Sequence, residues 1–260
     1  KCLNITKKNT VAIVLDNGLD FFISFLSVIN NCISAPLNPN YSIGEFEFYY
    51  GDLKPKLIIT NFDEKHPSVV VAKKNNKKII KISNCLLEVS SIKKINKDKI
   101  KKNIPTTKDI AIILHTSGTT SKPKMVPLNH ENLLSSSDNI SKTLKLKTKD
   151  KNIILMPSFH IHGIVASILA PLYAGSQIVV LPKFNVLTFY SYLDKHNPTW
   201  FTAVPTMLQS IKDRSKNNLN IIKNCKLRFI RSSSASLPVP ILKDIEKIFG
   251  VPVIESYGMT

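Results

Sequence analysis

The stretch from Ala111 to Leu128 reads AIILHTSGTTSKPKMVPL, and its pattern indicates a particular order of structural elements. The apolar run that ends at His115 is typical of a short buried strand. Small hydroxylated residues and two lysines follow, and then comes NHENLL, in which Asn129 can cap a helix. We interpret the stretch as a strand, a small-residue loop and a helix, because a disordered linker has no such flanks.

Strand-like and helix-like segments alternate on both sides of this stretch. Upstream, the pattern predicts a strand at TVAIVL, a helix with an apolar face from Phe21 to Ile29, a helix at SIGEFEFYY and a strand at KLIIT. Downstream, it predicts strands at NIILMP, QIVVLP, TWFTAVP, LRFIRSSSA and VPVIESYG, with helices between them. The alternation predicts an α/β fold of mostly parallel sheets with helices on both faces. Residues 73–108 are rich in lysine and lack a long period, so we expect them to be a peripheral segment joining approximate subdomains 1–72 and 109–260.

The strongly basic composition does not indicate a nucleic-acid-binding protein. The formal net charge is +18, but 33 of the 36 basic residues are lysine and only 3 are arginine. Arginine is the residue whose planar fork binds phosphates and base edges through two hydrogen bonds, so we expect no specific nucleic-acid partner. No apolar run approaches the roughly 20 residues that a membrane-spanning helix needs, and no membrane span is expected.

The four cysteines lie far apart in the sequence, and none forms a CxxC pair. No histidine stands at zinc-ligand spacing from them, so no structural metal site is predicted. We expect reduced thiols, mostly in the core, which fits a cytoplasmic location.

Four loops are expected at the carboxyl ends of strands, where open parallel sheets bind their ligands. These loops are HTSGTTSKPK, MPSFHIHG, RSSSAS and ESYGMT. In the first, small residues let backbone N–H groups approach an anion and lysines add charge, which suits a polyphosphate. It lacks the GxxxxGK[ST] spacing of the nucleotide P-loop, so P-loop kinases and GTPases are excluded. Taken alone, such a loop is more often a plain surface loop.

The four loops together resemble a known family. TSGTTSKPK is similar to the phosphate-binding signature of the adenylate-forming (AMP-binding, acyl-CoA synthetase) superfamily, and FHIHG, SSSAS and YGMT follow in the order of that family. LHTSGTTSKPKMVPL and LRFIRSSSASL look most like the branch that contains oxalate-CoA ligases and 4-coumarate-CoA ligases. The resemblance implies that residues 1–260 are an incomplete N-terminal AMP-binding domain. The mobile C-terminal domain is absent from this chain, so we expect it in cis and expect these residues alone not to complete the reaction.

The resemblance also assigns the nucleotide site. It implies ATP phosphate contacts from Thr116, Ser117, Gly118, Thr119, Thr120 and Lys124. It implies adenine or AMP contacts from Ser234, Ala235, Ser236, Tyr257, Gly258 and Thr260. Tyr257 would stack on the base, and Thr260 would act in catalysis near the α-phosphate. Ser121 replaces a usual glycine, as in oxalate-CoA ligases, whereas Met125 stands where a glycine usually follows the lysine.

Two histidines and one arginine are predicted to select the acid. By position, His160 resembles the catalytic gate between the nucleotide and acyl sites, and His162 resembles an acyl-pocket residue. A long apolar acid would leave buried polar groups unpaired there, so a small anionic acid is favoured. Arg231 could clamp a second carboxylate, which favours a short dicarboxylate such as oxalate.

The expected function is that of an ATP-dependent acid-CoA ligase that activates a small carboxylic acid through an acyl-adenylate. ATP, Mg²⁺ and CoA are the implied cofactors and co-substrates, and no metal ligand is assigned within these residues. Three alternatives stay open: a medium-chain, long-chain or aromatic acyl-CoA synthetase, an adenylation domain that loads a carrier protein, and a non-catalytic nucleotide-binding homologue. A peroxisomal location is the alternative to a cytoplasmic one, because a C-terminal targeting tripeptide would lie beyond Thr260.

Overall fold

The computed structural model describes residues 5–88, 104–116 and 123–258. The chain forms two compact units, residues 1–132 and residues 133–260. Among the described residues, no helix has the length and the apolar character needed to cross a membrane. Three cysteines fall in this part of the chain and are free thiols, but only Cys32 is buried, whereas Cys85 and Cys225 are half-buried.

The described part of the first unit is built on a seven-stranded sheet. Its strands are β1 Thr10–Val14, β2 Ile33–Pro36, β3 Leu57–Thr60, β4 Lys78–Ser83, β5 Leu86–Glu88, β6 Ile110–His115 and β7 Met125–Asn129. Their order is β5-β4-β3-β1-β2-β6-β7, in which the five inner strands run parallel and β5 and β7 pair antiparallel at the two edges. The helices are α1 Leu19–Ile29, α2 Ile43–Leu53 and α3 Pro67–Lys74, and α4 His130–Thr143 begins in this unit. The predicted α/β class is confirmed.

Helix α2 shows how the sequence specifies an element of this unit. Ser42 and Glu45 form a capping box, in which the Ser42 backbone N–H donates to Glu45 Oε2 at 2.7 Å and the Glu45 N–H donates to Ser42 Oγ at 3.4 Å. The box satisfies two backbone donors that would otherwise lack partners at the helix start. Phe46, Tyr50 and Leu53 then fall on the face that packs into the core.

The boundary between the units differs from the predicted subdomains 1–72 and 109–260. Strand β6 pairs with β2 through Ser34 and Ile112, so β6 belongs to the first sheet. The lysine-rich segment is also not wholly peripheral, because β4 pairs parallel with β3 and buries Ile80 and Ile82. Lys78 and Lys81 interrupt the apolar run, and only one face of the strand is apolar, so the strand was not recognised in the sequence.

The loop of HTSGTTSKPK does not lead directly into a helix. Strand β7 lies between the loop and α4, and it pairs antiparallel with β6 so that His115 faces Met125. The strand-to-helix interpretation was therefore wrong: the loop joins two strands. Strand β7 was not predicted because it contains Pro127, and proline is disfavoured inside strands. Proline is tolerated here because β7 is an edge strand. Asn129 does act at the start of α4, since its Oδ1 accepts from the Asn132 N–H at 2.8 Å.

The described part of the second unit is built on a parallel five-stranded sheet. Its strands are β8 Lys151–Ile153, β9 Gln177–Val179, β10 Trp200–Ala203, β11 Phe229–Ser232 and β12 Val253–Glu255, in the order β12-β11-β10-β8-β9. The helical segments are a π-helix His162–Leu169, α5 Ala170–Tyr173, α6 Val186–His196, α7 Pro205–Arg214, a 3₁₀ turn Ser215–Asn218, α8 Leu219–Asn224 and α9 Val239–Phe249. All five strands predicted for this region are confirmed. Gly175 and Gly250 end their helices with positive φ, as predicted.

Candidate functional site

The candidate site lies at the carboxyl edge of the second sheet. Strands β10, β11 and β12 run parallel in a register that aligns Thr202, Arg231 and Ile254. Their loops therefore leave the sheet on the same side, and a pocket of about 440 Å³ opens there. Three parts of the second unit form the wall of the pocket. Helix α4 and the residue after it contribute Ser136, Asn139, Ile140, Thr143 and Leu144, and the start of the π-helix contributes Ile161, His162, Val165 and Ala166. The ends of β11 and β12 and the loops after them contribute Arg231, Ser233, Ser234, Ile254, Glu255, Ser256, Tyr257 and Gly258.

The pocket brings together five of the residues predicted from the sequence. His162 and Arg231, predicted for the acid, line it with Ser234, Tyr257 and Gly258, predicted for the nucleotide. His160, Ala235 and Ser236 do not line this pocket. The roles assigned to all of these residues stay predictions.

His162 stands at the centre of a polar cluster. Its Nδ1 lies 2.8 Å from Ser234 Oγ, and its Nε2 lies 2.6 Å from Thr202 Oγ1. Arg231 Nη1 approaches both partners, at 3.0 Å from His162 Nε2 and 3.2 Å from Thr202 Oγ1. Each ring nitrogen of the buried imidazole therefore has a hydrogen-bond partner within the cluster.

Burial sets the charges of this cluster. It lowers the pKa of His162 to about 3, and the nearby positive charge of Arg231 and the neighbouring His160 act in the same direction. Burial also lowers the pKa of Arg231 to about 10, which leaves the guanidinium charged at neutral pH. The cluster thus combines one cation with one neutral imidazole.

The position of His162 depends on the glycine that follows it. A Cβ on Gly163 would lie 2.2 Å from the Pro157 carbonyl oxygen, so only glycine allows the π-helix to approach that backbone so closely. His160 contributes to the same turn, since its carbonyl accepts from the Ile164 N–H at 3.0 Å. π-Helical turns are rare and occur frequently at functional sites, which fits the placement of His162 in the pocket wall.

Ser234 and Tyr257 present their side chains at the opening of the pocket. Ser234 has a φ of 76°, in the left-handed region that non-glycine residues seldom adopt. Tyr257 is 91% exposed, so its ring is free to stack on a planar ligand. Between them, Ser233 Oγ donates to the Ser256 carbonyl at 2.9 Å and ties the β11 loop to the β12 loop.

Two further residues of the site were not identified from the sequence: Thr202, which contacts His162 and Arg231, and Glu255, which lines the pocket. Thr202 is fully buried in β10, where a threonine is an ordinary strand residue, and only its alignment with Arg231 shows its contact. Glu255 ends β12, and its Oε1 accepts from the Leu237 N–H at 2.8 Å. The Glu255 carboxylate gives one part of the wall a negative charge, so the opposite charges of Glu255 and Arg231 would orient a polar ligand.

His160 is exposed and packs against Phe159, with ring centroids 4.5 Å apart. Protein atoms around its imidazole still displace enough water to lower its pKa. It is therefore mainly a neutral side chain at physiological pH, with a ring that is accessible to a ligand.

Two residues predicted for the phosphates are described in the first unit. The Thr116 N–H donates to the Lys124 carbonyl, and the Lys124 N–H donates to Thr116 Oγ1, each at 3.0 Å, so the two ends of the loop are joined. His115 adds an anchor to α2, with its Nε2 lying 2.8 Å from Asp52 Oδ2. The other residues predicted for the phosphates lie outside the described part of the chain: Ser117, Gly118, Thr119 and Thr120. Thr260, predicted to act in catalysis, also lies outside it.

The described residues contain no group of three or more histidine, cysteine, aspartate or glutamate side chains that could hold a metal ion.

The family model described as AMP-binding enzyme matches residues 1–260. The chain belongs to the AMP-binding enzyme family, as the order of its four loops predicted. Its fold is that of the N-terminal domain of adenylate-forming enzymes.

Among the proteins that the chain resembles are two oxalate-CoA ligases and a solved structure of MatB. The chain is 41% identical, over 97% of its length, to an oxalate-CoA ligase of Arabidopsis thaliana and 34% identical, over 98%, to an oxalate-CoA ligase of Saccharomyces cerevisiae. It spans about half of each, 50% and 51% respectively. Among solved structures, ATP-bound MatB from Rhodopseudomonas palustris matches with a TM-score of 0.85 over 99% of this chain and 51% of that chain. That match has 21% sequence identity and therefore shows the fold alone.

Proposed function

We propose that the whole protein is an ATP-dependent acid-CoA ligase that activates a small carboxylic acid through an acyl-adenylate. Its family and its similarity to curated oxalate-CoA ligases support this class of reaction. In this reaction a carboxylate oxygen of the acid attacks the α-phosphorus of ATP, and pyrophosphate leaves. The thiol of CoA then attacks the acyl carbon and releases AMP. A C-terminal domain in cis is the expected partner, and Mg²⁺ would neutralise phosphate charge when it is bound.

The observation that carries the proposal is the shared pocket in the second unit. An acyl-adenylate joins its acid covalently to its nucleotide, so the residues that bind the two parts must border one continuous space. His162 and Arg231, predicted for the acid, border the same space as Ser234 and Tyr257, predicted for the nucleotide. Catalysis of this kind depends mainly on positioning and on charge stabilisation, which such a pocket can supply.

The positive charge of Arg231 favours a short dicarboxylate such as oxalate, whereas the Glu255 carboxylate in the same wall would repel one. Arg231 offers a half-buried cation, and the neutral His162 beside it offers no competing charge. An acid with a second carboxylate would pair with the guanidinium through charge-assisted hydrogen bonds. An alkyl chain at the same place would leave Arg231 without an anion after water is displaced, which is unfavourable. Ile140, Val165 and Ile254 form an apolar part of the wall, so apolar acids belong in the test.

The direct test measures ATP-pyrophosphate exchange by the full-length protein with oxalate, coumarate and octanoate. We expect kcat/KM for oxalate to exceed that for octanoate by at least about 100-fold, because an unpaired buried charge costs several kcal/mol. A preference for octanoate would refute the choice of acid but not the class of reaction. Absence of exchange with every acid tested, together with absence of ATP binding, would refute the class.

A matched pair of arginine variants tests the role of the cation. Arg231→Leu should reduce kcat/KM for oxalate by about 10- to 100-fold, the loss expected for charge-assisted hydrogen bonds, while leaving exchange with octanoate unchanged or higher. Arg214→Leu is the control, since Arg214 is exposed at the end of α7 and does not line the pocket. Equal losses with both acids in Arg231→Leu would refute a direct contact between Arg231 and the second carboxylate of the acid.

A further inference from the structure

The polar cluster contains enough donors and acceptors to determine the tautomer of His162. Arg231 can only donate hydrogen bonds, and its Nη1 lies 3.0 Å from His162 Nε2. Nε2 must therefore present a lone pair to the guanidinium. If Nε2 carried a hydrogen, two N–H donors would face each other at that distance, which is repulsive.

The remaining hydrogen bonds follow from this assignment. A neutral imidazole with a lone pair on Nε2 carries its hydrogen on Nδ1, and Nδ1 lies 2.8 Å from Ser234 Oγ. His162 therefore donates to the oxygen of Ser234. The Thr202 hydroxyl completes the set: its oxygen accepts from Arg231 at 3.2 Å, and its hydrogen points to Nε2 at 2.6 Å, where it shares the single lone pair with the guanidinium in a three-centre hydrogen bond.

The neutral form is stable over the physiological range of pH. Burial is the main reason that the pKa of His162 falls to about 3, and a second proton would place an N–H against Arg231. The direction of the hydrogen bonds from Arg231 through His162 to Ser234 is therefore fixed at neutral pH.

The accepting role of Ser234 leaves its own hydroxyl hydrogen free to point into the pocket. Ser234 lines the pocket, and His162 is the partner of its Oγ within the described residues. Its backbone φ of 76° is disfavoured for serine by about 1–2 kcal/mol, and such conformations persist where surrounding contacts hold them, often at ligand sites. The hydrogen bond from His162 is one such contact.

We propose that His162, in the Nδ1–H tautomer fixed by Arg231 and Thr202, is a positioning residue that makes the Ser234 hydroxyl a hydrogen-bond donor to an anionic oxygen of the bound ligand. The ligand oxygen is a carboxylate oxygen of the acid or a phosphate oxygen of the nucleotide, and this identity rests on the proposed function. The tautomer itself follows from the contacts of the cluster and does not depend on that function.

The tautomer is tested on the full-length protein without any measurement of activity. Protein labelled with ¹⁵N-histidine is studied by long-range ¹H–¹⁵N correlation NMR at neutral pH, and loss of one spin system in His162→Asn assigns the resonances. We expect a protonated Nδ1 and an unprotonated Nε2. A protonated Nε2 would overturn the proposal, even if the protein proved to be an active ligase.

Two variants of similar shape, His162→Asn and His162→Leu, test whether His162 acts through the Ser234 hydroxyl. Asparagine retains an N–H donor close to the position of Nδ1, whereas leucine has the same outline without it, so His162→Asn should keep about tenfold more kcat/KM than His162→Leu. This difference should vanish in the Ser234→Gly background, where glycine adopts the positive φ without strain and the hydroxyl is gone.

A tenfold difference that persists in the Ser234→Gly background would show that His162 does not act through Ser234. If the difference vanishes, the parameter that Ser234→Gly alone changes identifies the ligand oxygen. A higher KM for the acid indicates a carboxylate, and a higher KM for ATP indicates a phosphate.

Discussion

Replacement of Gly163 by alanine should destabilise the second unit, although glycine to alanine changes within helices usually stabilise. The new Cβ would lie 2.2 Å from the Pro157 carbonyl oxygen, and ordinary contact begins at 3.4 Å, so the two backbones must separate by about 1.2 Å. Overpacking of this kind costs about 1–3 kcal/mol, and the upper end applies because a backbone atom cannot rotate away. The gain in helix propensity of about 1 kcal/mol offsets part of this cost. The expected net loss is about 2 kcal/mol.

Urea unfolding of the full-length protein, followed by far-UV circular dichroism, measures this loss. Gly51→Ala is the matched control, because Gly51 is exposed within α2 and a Cβ there would meet nothing within 4 Å. The control should gain about 0.5–1 kcal/mol, whereas Gly163→Ala should lower the transition midpoint by roughly 1 M if the slope is about 2 kcal/mol/M. A midpoint for Gly163→Ala at or above that of the wild type would refute the close approach at Pro157.

Three further predictions concern charges and a helix cap. Between pH 8 and pH 5 the wild type should lose about 2 kcal/mol more stability than His162→Gln. The reason is that His162 takes up a proton below about pH 6.5 in the unfolded chain, whereas in the folded protein it does so only near pH 3. Equal losses of stability in paired urea titrations would contradict the low pKa of His162. Asp150→Ala should cost about 3 kcal/mol near pH 7, since the buried Asp150 accepts two 2.8 Å hydrogen bonds from Arg228, and the difference from wild type should shrink as pH falls through the lowered pKa of Asp150. Ser42→Ala should cost about 1 kcal/mol by removing the capping box, whereas Ser42→Asp should retain most of the cap; similar midpoints for both variants would argue against it.

The sequence predicted the parallel strands of the second unit well, because each is a short apolar run bounded by residues that disfavour strands. Strands β4 and β7 were missed for local reasons. Lys78 and Lys81 interrupt the apolar run that contains the buried Ile80 and Ile82, and Pro127 interrupts the run Met125–Asn129. Both strands form because neighbouring strands offer backbone partners, and a pattern along one segment does not contain that information.

The site was predictable to the extent that it depends on motifs. His162 and Arg231 were identified as pocket residues from their places in FHIHG and beside SSSAS, and the structure brings them within hydrogen-bonding distance. Thr202 was missed because its contact arises from the pairing of β10 with β11, which aligns it with Arg231. The donor direction at Ser234 also required coordinates, since it follows from distances among four side chains.

Because the chain has few arginines, reagents that modify arginine can be used to probe the pocket through Arg231. The chain has 3 arginines among its 36 basic residues, and they differ in their surroundings: Arg214 is exposed, Arg228 is paired with Asp150, and Arg231 is half-buried at the pocket. Dicarbonyl reagents that react with guanidinium groups would therefore meet few targets in this chain, whereas amine reagents would meet 33 lysines. The modification of Arg231 and of Arg214 can be measured on the separate peptides that contain them. If a candidate acid slows the modification of Arg231 but not that of Arg214, the acid occupies the pocket, and no turnover is needed to see it.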